Sequence, residues 1–220
     1  MSTNKPTLYY LYDALCGWCY GFSPVINALY AKYQDQIDFR VLSGGLVTGE
    51  RIGPIGVVAG YIKDAYKNVE ETTGVKFGEA FLDEVLEPGN EQFTSIPPAL
   101  AMALFRNQLP QRQLEFATRI QKAIYYEGMA PSEWTTYGQL ATEFGLNEIE
   151  FAEKMQHPKL EELIFEEFKI PQQWGINGFP ALVFQNENGA ALISHGYQPL
   201  EQVENALEKI RDNFARKAED

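Results

Sequence analysis

Two cysteines, Cys16 and Cys19, are the only thiols in the 220-residue chain, and Gly17-Trp18 separates them. A bridge between them would close a very small loop, and in the loop-entropy picture such loops stabilise a fold least. A reversible dithiol–disulfide couple is the chemistry this spacing serves best. Its nucleophile is a thiolate, which the free N–H groups and macrodipole at a helix N-terminus favour. If Cys16 heads a helix, it gains that advantage. Cys19, one turn in, is then close enough to attack a mixed disulfide formed at Cys16. Gly17 is expected to let the backbone bend between the two. The competing readings are a zinc site and a pair of inert buried thiols. Zinc takes four ligands, and the only histidines, His157 and His195, lie in different segments with no second ligand at short spacing. No metal is therefore expected.

The flanking sequence supplies elements to position such a pair. Leu8-Tyr-Tyr-Leu-Tyr12 is aromatic and apolar and reads as a buried strand. A three-residue loop leads to Cys16. Val25, Ile26, Leu29, Tyr30 and Tyr33 then recur at helical spacing, which predicts a helix from Cys16 to Tyr33. Ile37–Leu42 alternates and predicts a second strand, parallel to the first. Ser43–Pro54 holds Gly44, Gly45, Gly49 and Gly53 and reads as a loop. From Val57 to Phe168 the pattern is mostly helical. One helix opens at Pro97-Pro98, its spacing carries on across Pro110 to Ile124, shorter helices follow over 133–144 and 148–155, and Gly145 sits where a cap belongs. Phe179–Phe184 and Ala190–Ser194 form a hairpin about Asn186–Gly189. Leu200–Phe214 is amphipathic, with Val203, Leu207, Ile210 and Phe214 on one face. The expected division is 1–54 and 169–220 as two parts of one α/β unit, with 55–168 as a helical insertion.

Composition narrows the partners. Hydrophobic residues make up 45% of the chain, enough for a real core. A formal net charge of -12 repels phosphate backbones and anionic lipid, so neither nucleic acid nor a membrane surface is expected as a partner. The apolar run Leu8–Leu11 is too short for a signal-peptide core, and no run of about 18 apolar residues occurs, so a cytoplasmic setting is expected. Gly44–Gly49 lacks the lysine and spacing of a phosphate loop, and neither a dinucleotide fingerprint nor a nucleophile elbow is present. His195 reads as an exposed turn residue, and Trp134 and Trp174 as packing. Tyr125 is a candidate to line a cleft. Disorder is expected only in the charged tail Arg211–Asp220.

The strand–Cys-x-x-Cys–helix start, the helical insertion and a later strand opening at Gly178-Phe179-Pro180 resemble DsbA-like thioredoxin-fold proteins. Within them the chain is similar to a signal-less branch of predicted protein-disulfide isomerases related to FrnE. Gly44-Gly45-Leu46, Ser95-Ile-Pro-Pro98 and Ala123-Ile-Tyr-Tyr-Glu-Gly128 extend the resemblance over most of the chain. It implies an α/β, thioredoxin-like fold with a helical insertion between the second and third strands, folded over the active site. It implies thiol–disulfide oxidoreductase or isomerase activity on protein or small-molecule disulfides, with Cys16 as nucleophile and Cys19 resolving. A cis bond at Pro180 would bring the Phe179 backbone beside the sulfurs, so that Gly17, Trp18, Phe179 and Pro180 meet the substrate. Pro24 resembles the helix-kinking proline of thioredoxins. No bound cofactor is needed, because the cysteines carry the electrons; glutathione would enter as a co-substrate, and a reducing or oxidising system as partner.

Two positions depart from the pattern. Many thioredoxin-fold enzymes carry a buried acid six residues before the first cysteine, where this chain has Tyr10; Asp13 or water is left as the base for Cys19. Trp18 stands where DsbA has a thiolate-stabilising histidine. Two other functions fit the same resemblance. One is a kappa-class-like glutathione transferase or isomerase, whose relatives generally do not need a Cys-x-x-Cys. The other is a cytoplasmic DsbA-like adaptor, a binding module that would work with both cysteines replaced.

Overall fold

The computed structural model describes residues 5–217. The readings made above for Met1–Asn4 and for residues 218–220 of the charged tail lie outside the described residues. In chain order the elements are β1 (Thr7–Tyr12), α1 (Gly17–Tyr33), β2 (Asp38–Ser43), the two-residue β3 (Gly53–Pro54) and α2 (Ala59–Thr73). A π-helical turn (Ala80–Leu86) and the two-residue β4 (Gln92–Phe93) come next. Then follow α3 (Ile96–Gln108), α4 (Gln113–Tyr125), α5 (Trp134–Thr142), α6 (Glu148–Met155), α7 (Pro158–Glu167) and α8 (Ile170–Gln173). The chain closes with β5 (Ala181–Asn186), β6 (Gly189–His195) and α9 (Leu200–Lys217).

The main sheet has the order β2-β1-β5-β6, and β3 pairs only with β4. β1 and β2 run parallel across α1, while β5 is antiparallel to both β1 and β6. Alternation along β1 sends Leu8, Tyr10 and Tyr12 into the main core, where Phe22, Ile26 and Leu29 of α1 meet them. Leu11 packs on the other face with Leu42, Ala181 and Val183. This is the α/β, thioredoxin-like arrangement with helices between the second and third strands of the main sheet.

β2 is an edge strand, and an unpaired edge invites wrong pairing unless something covers it. Side chains from the intervening helices do so. The Val41 N–H donates to Gln113 Oε1 at 2.8 Å, and Gln113 Nε2 donates to the Phe39 carbonyl at 2.8 Å. Ser43 N–H donates to Glu167 Oε1 at 2.6 Å, and the Arg106 guanidinium donates to the Val41 carbonyl. α3, α4 and α7 are thereby tied to the strand that ends beside the cysteines.

Three expectations change. Helical spacing does not carry across Pro110: α3 ends at Gln108, Leu109 leaves helical geometry at φ -133°, ψ 64°, and Pro110 opens a separate 3-10 turn. Proline disfavours helical backbone in the residue before it and has no N–H for the ladder. Part of the tail expected to be disordered is helical, because α9 continues to Lys217, with Phe214 buried against Phe184. His195 is the last residue of β6, opposite Ala181, and does not lie in a turn. Among the described residues no helix is long and apolar enough to cross a membrane.

Candidate active site

Cys16 is the N-cap of α1, in extended backbone at φ -98°, ψ 108°. Its amide donates to the Asp13 carbonyl at 3.1 Å, closing the loop from β1. Its sulfur accepts the Cys19 N–H at 3.3 Å, the role an N-cap oxygen ordinarily plays. The chain bend therefore falls at Cys16. Gly17 is an ordinary first helical residue without positive φ, and a Cβ there would meet only the Phe77 ring, at 3.6 Å. The expectation that Gly17 supplies the bend is corrected accordingly. Both cysteines are free thiols. Cys16 is 8% exposed and Cys19 wholly buried. Burial pushes the Cys19 thiol well above its ordinary pKa, its hydrogen bond with Cys16 adds to this, and a backbone hydrogen bond from Asp13 opposes it.

Across from Cys16 lies the turn into β5. The Phe179–Pro180 bond is cis, and the Phe179 carbonyl accepts the Cys16 thiol at 3.5 Å. Two features hold that turn. Gly196 N–H donates to the Pro180 carbonyl at 2.8 Å, and the Phe179 ring lies over Gly44, where a Cβ would come within 2.0 Å of it. Gly44 is thus required by close approach of a ring.

Trp18 is half-buried and packs on Tyr197, ring centroids 6.2 Å apart, with Phe22 against the same tyrosine. A cleft of 160 Å³ beside Cys16 runs under α2, with Trp18, Leu46, Tyr66, Phe77 and Tyr125 in its lining. Phe77 and Tyr125, with ring centroids 5.2 Å apart, form its aromatic wall, and Tyr20 packs on both at 5.3 and 5.4 Å. A larger hollow of 510 Å³ lies against Tyr9, Arg40 and Trp174 and touches neither cysteine. His195 is exposed, with Nε2 against Gly178. Pro24 lies inside α1 on its exposed side. Trp134 packs on the core and Trp174 is set edge-on to Tyr9.

The structure thus brings Cys16, Cys19, Gly17, Trp18, Phe179 and Pro180 together. Tyr125 lines the cleft, as the sequence reading anticipated; that reading missed Tyr197, Gly44 as the seat of Phe179, and Phe77. Tyr197 carries no local signal, since only the return of β6 places it beside Trp18. Asp13 was legible as a polar residue in the loop but not as a hub. Its Oδ1 accepts Leu15 N–H and Ser95 Oγ–H, both at 2.9 Å, and its Oδ2 accepts Leu46 N–H at 2.8 Å.

Comparisons bear on this geometry. The sequence model of the DSBA-like thioredoxin domain matches residues 7–208. A proposed protein disulfide isomerase from Nitrosomonas europaea has a TM-score of 0.83 at 26% identity, covering 96% of this chain and 99% of that one. The cytosolic disulfide reductase DsbM from Pseudomonas aeruginosa has a TM-score of 0.79 at 28% identity, covering 93% and 98%. The same reductase with GSH gives 0.76 at 29% identity, covering 93% and 99%. No curated protein matches the sequence.

Proposed function

This chain belongs to the family of DSBA-like thioredoxin domains, and on that basis we propose that it is a thiol–disulfide oxidoreductase that reduces or rearranges disulfides in the cytoplasm with glutathione as electron donor. The observation that carries the reading is the Cys16 thiol, heading α1 and facing the Phe179 carbonyl, with Cys19 buried one turn behind.

The Cys16 thiolate attacks one sulfur of a substrate disulfide. A Cys16–substrate disulfide forms, the substrate S–S bond breaks, and the other substrate sulfur leaves as thiolate. The backbone of Phe179 pairs with the bound segment beside the new bond, while Gly17, Trp18 and Pro180 border it. Cys19 then loses its proton and attacks Cys16 sulfur, which forms the Cys16–Cys19 bridge and releases the second substrate thiolate. Two electrons have passed from the protein to the substrate. Two glutathione thiols reverse the process in two exchanges and leave as glutathione disulfide. No bound cofactor enters, because the sulfurs hold the electrons.

Similarity to a cytosolic disulfide reductase, one structure of which is titled with GSH, supports both the direction and the donor. The test is insulin reduction driven by glutathione. Wild type should turn over, Cys16→Ser should be inactive, and Cys19→Ser should accumulate mixed disulfides at Cys16. Turnover that survives Cys16→Ser would remove Cys16 as the nucleophile, and absence of turnover in wild type would leave the adaptor as the better account.

A further inference from the structure

The two edges of the main sheet differ. β2 is closed by Arg106, Gln113 and Glu167. β6, the other edge, has β5 on one side and no strand on the other. Among the described residues no hydrogen bond beyond its pairing with β5 reaches Gly189–Ser194. An edge strand turns the N–H and C=O groups of alternate residues outward, where a further strand can take them. Counting from the pair Asn186–Gly189 that closes the hairpin, those residues are Ala190 and Leu192. Natural edges are commonly blunted by lysine, proline or other charges. Gly189-Ala-Ala-Leu-Ile-Ser194 carries none of these. A bulge at Ile193, where the register shifts between Leu182 and Val183, limits the regular ladder to Gly189–Leu192.

The shape of this edge suits one kind of occupant. Leu192 lies opposite Val183, on the face of the sheet turned away from the main core, and is 50% exposed. Beside it a hollow of 240 Å³ is lined by Trp174, Ile176, Val183, Ala190, Ala191 and Leu192. Trp174 is 41% exposed there. Ala190 shares that face with Leu192, because side chains two apart on a strand point the same way. It is exposed and offers only a methyl group. A projecting leucine and a low alanine thus stand two residues apart on one strand. A patch that holds both knob and hole complements a copy of itself related by a two-fold axis.

We propose that β6 pairs antiparallel with β6 of a second copy of this chain, about a two-fold axis through Ala191. That register sets Leu192 opposite the partner's Ala190, and Ala190 opposite the partner's Leu192. Each leucine fills the other chain's hollow and covers Trp174. The outward backbone groups of Ala190 and Leu192 are satisfied, and two four-stranded sheets become one. Glu187 and His195 are the only ionisable residues within 186–196, and the axis carries Glu187 toward the partner's His195. The net charge of -12 opposes association at a distance. Physiological salt screens it beyond about 8 Å, and none of it lies on the paired stretch. The contact is closed, so assembly stops at the dimer. The hollow touches neither cysteine, so both sulfur sites stay open.

Sedimentation equilibrium of the full chain between about 1 and about 100 µM tests the pairing. Wild type should show a monomer–dimer equilibrium. Leu192→Lys puts a charge into the hollow, and Ala190→Leu fills it; each should raise the dimer Kd at least tenfold. Both sites are exposed, so the variants should keep the wild-type circular dichroism. In Trp18→Phe protein the emission of Trp174 should shift to the blue as the dimer forms, and Leu192→Lys should abolish that shift. A wild type that is monomeric throughout overturns the proposal. So does growth beyond the dimer, or a dimer that both variants leave intact. If neither variant folds, hydrogen exchange in wild type decides. The amides of Ala190 and Leu192 should exchange at least tenfold more slowly at the high concentration than at the low one, and equal exchange overturns the proposal.

Discussion

Cys16 and Cys19 differ in surroundings more than their spacing suggests. Cys16 retains some exposure at the head of α1, whereas Cys19 is sealed in the core and its thiol is pushed well up by burial. Limited alkylation of the reduced protein at neutral pH should therefore label Cys16 first, read by peptide mass. Cys19 in a Cys16→Ser background should stay nearly inert until the pH is clearly alkaline, since only its thiolate reacts. Preferential labelling of Cys19 would reverse the assigned roles. Gly44 offers a second test at this scale. A methyl there strikes the Phe179 ring, so Gly44→Ala should move the Phe179 carbonyl from Cys16 and lower kcat/KM for disulfide reduction about tenfold. A Gly44→Ala variant with unchanged kcat/KM would remove Gly44 from the account. The cysteine pair and Pro180 were legible because spacing and order carry them. Gly44, Tyr197 and the Asp13 network were not, because each depends on segments far apart in sequence meeting beside the sulfurs.

Elements were easier to read than their joints. β1, α1, β2 and the closing hairpin follow from periodicity, since their apolar faces are set by local spacing. The break at Pro110 follows from proline chemistry overriding a helical pattern that continues on either side. What no pattern announces is the role of α3, α4 and α7 in closing the β2 edge through Arg106, Gln113 and Glu167. Arg106 and Glu167 are both buried and meet at 2.5 Å. Glu167→Ala strands the guanidinium and frees the Ser43 N–H. A stability loss of about 3–5 kcal/mol is expected in urea unfolding; a loss under about 1 kcal/mol would show that the edge is held otherwise. Gly60→Ala makes the opposite prediction. Gly60 lies in α2 with helical backbone and open space around its Cα. The substitution should stabilise by about 0.5 kcal/mol through lost unfolded-state entropy, and any destabilisation in the same assay would contradict the placement.

For the whole molecule, the sheet and its intervening helices serve to hold one dithiol between a fixed backbone carbonyl and an aromatic cleft. The acidic surface charge of the chain plays no visible part in that site. The central claim is that Cys16 and Cys19 form a reversible two-electron couple. Trp18 lies between them in sequence and packs on Tyr197, so its emission should report the bridge. The most direct measurement equilibrates the protein in glutathione or dithiothreitol buffers and follows tryptophan emission, with Trp18→Phe to separate the signals of Trp134 and Trp174. With Trp18 rather than a histidine beside Cys19, the potential should lie nearer thioredoxin's, about −270 mV, than DsbA's, about −120 mV. A potential at the DsbA end would contradict the electrostatic account, and failure of the two cysteines to bridge reversibly at all would contradict the oxidoreductase itself.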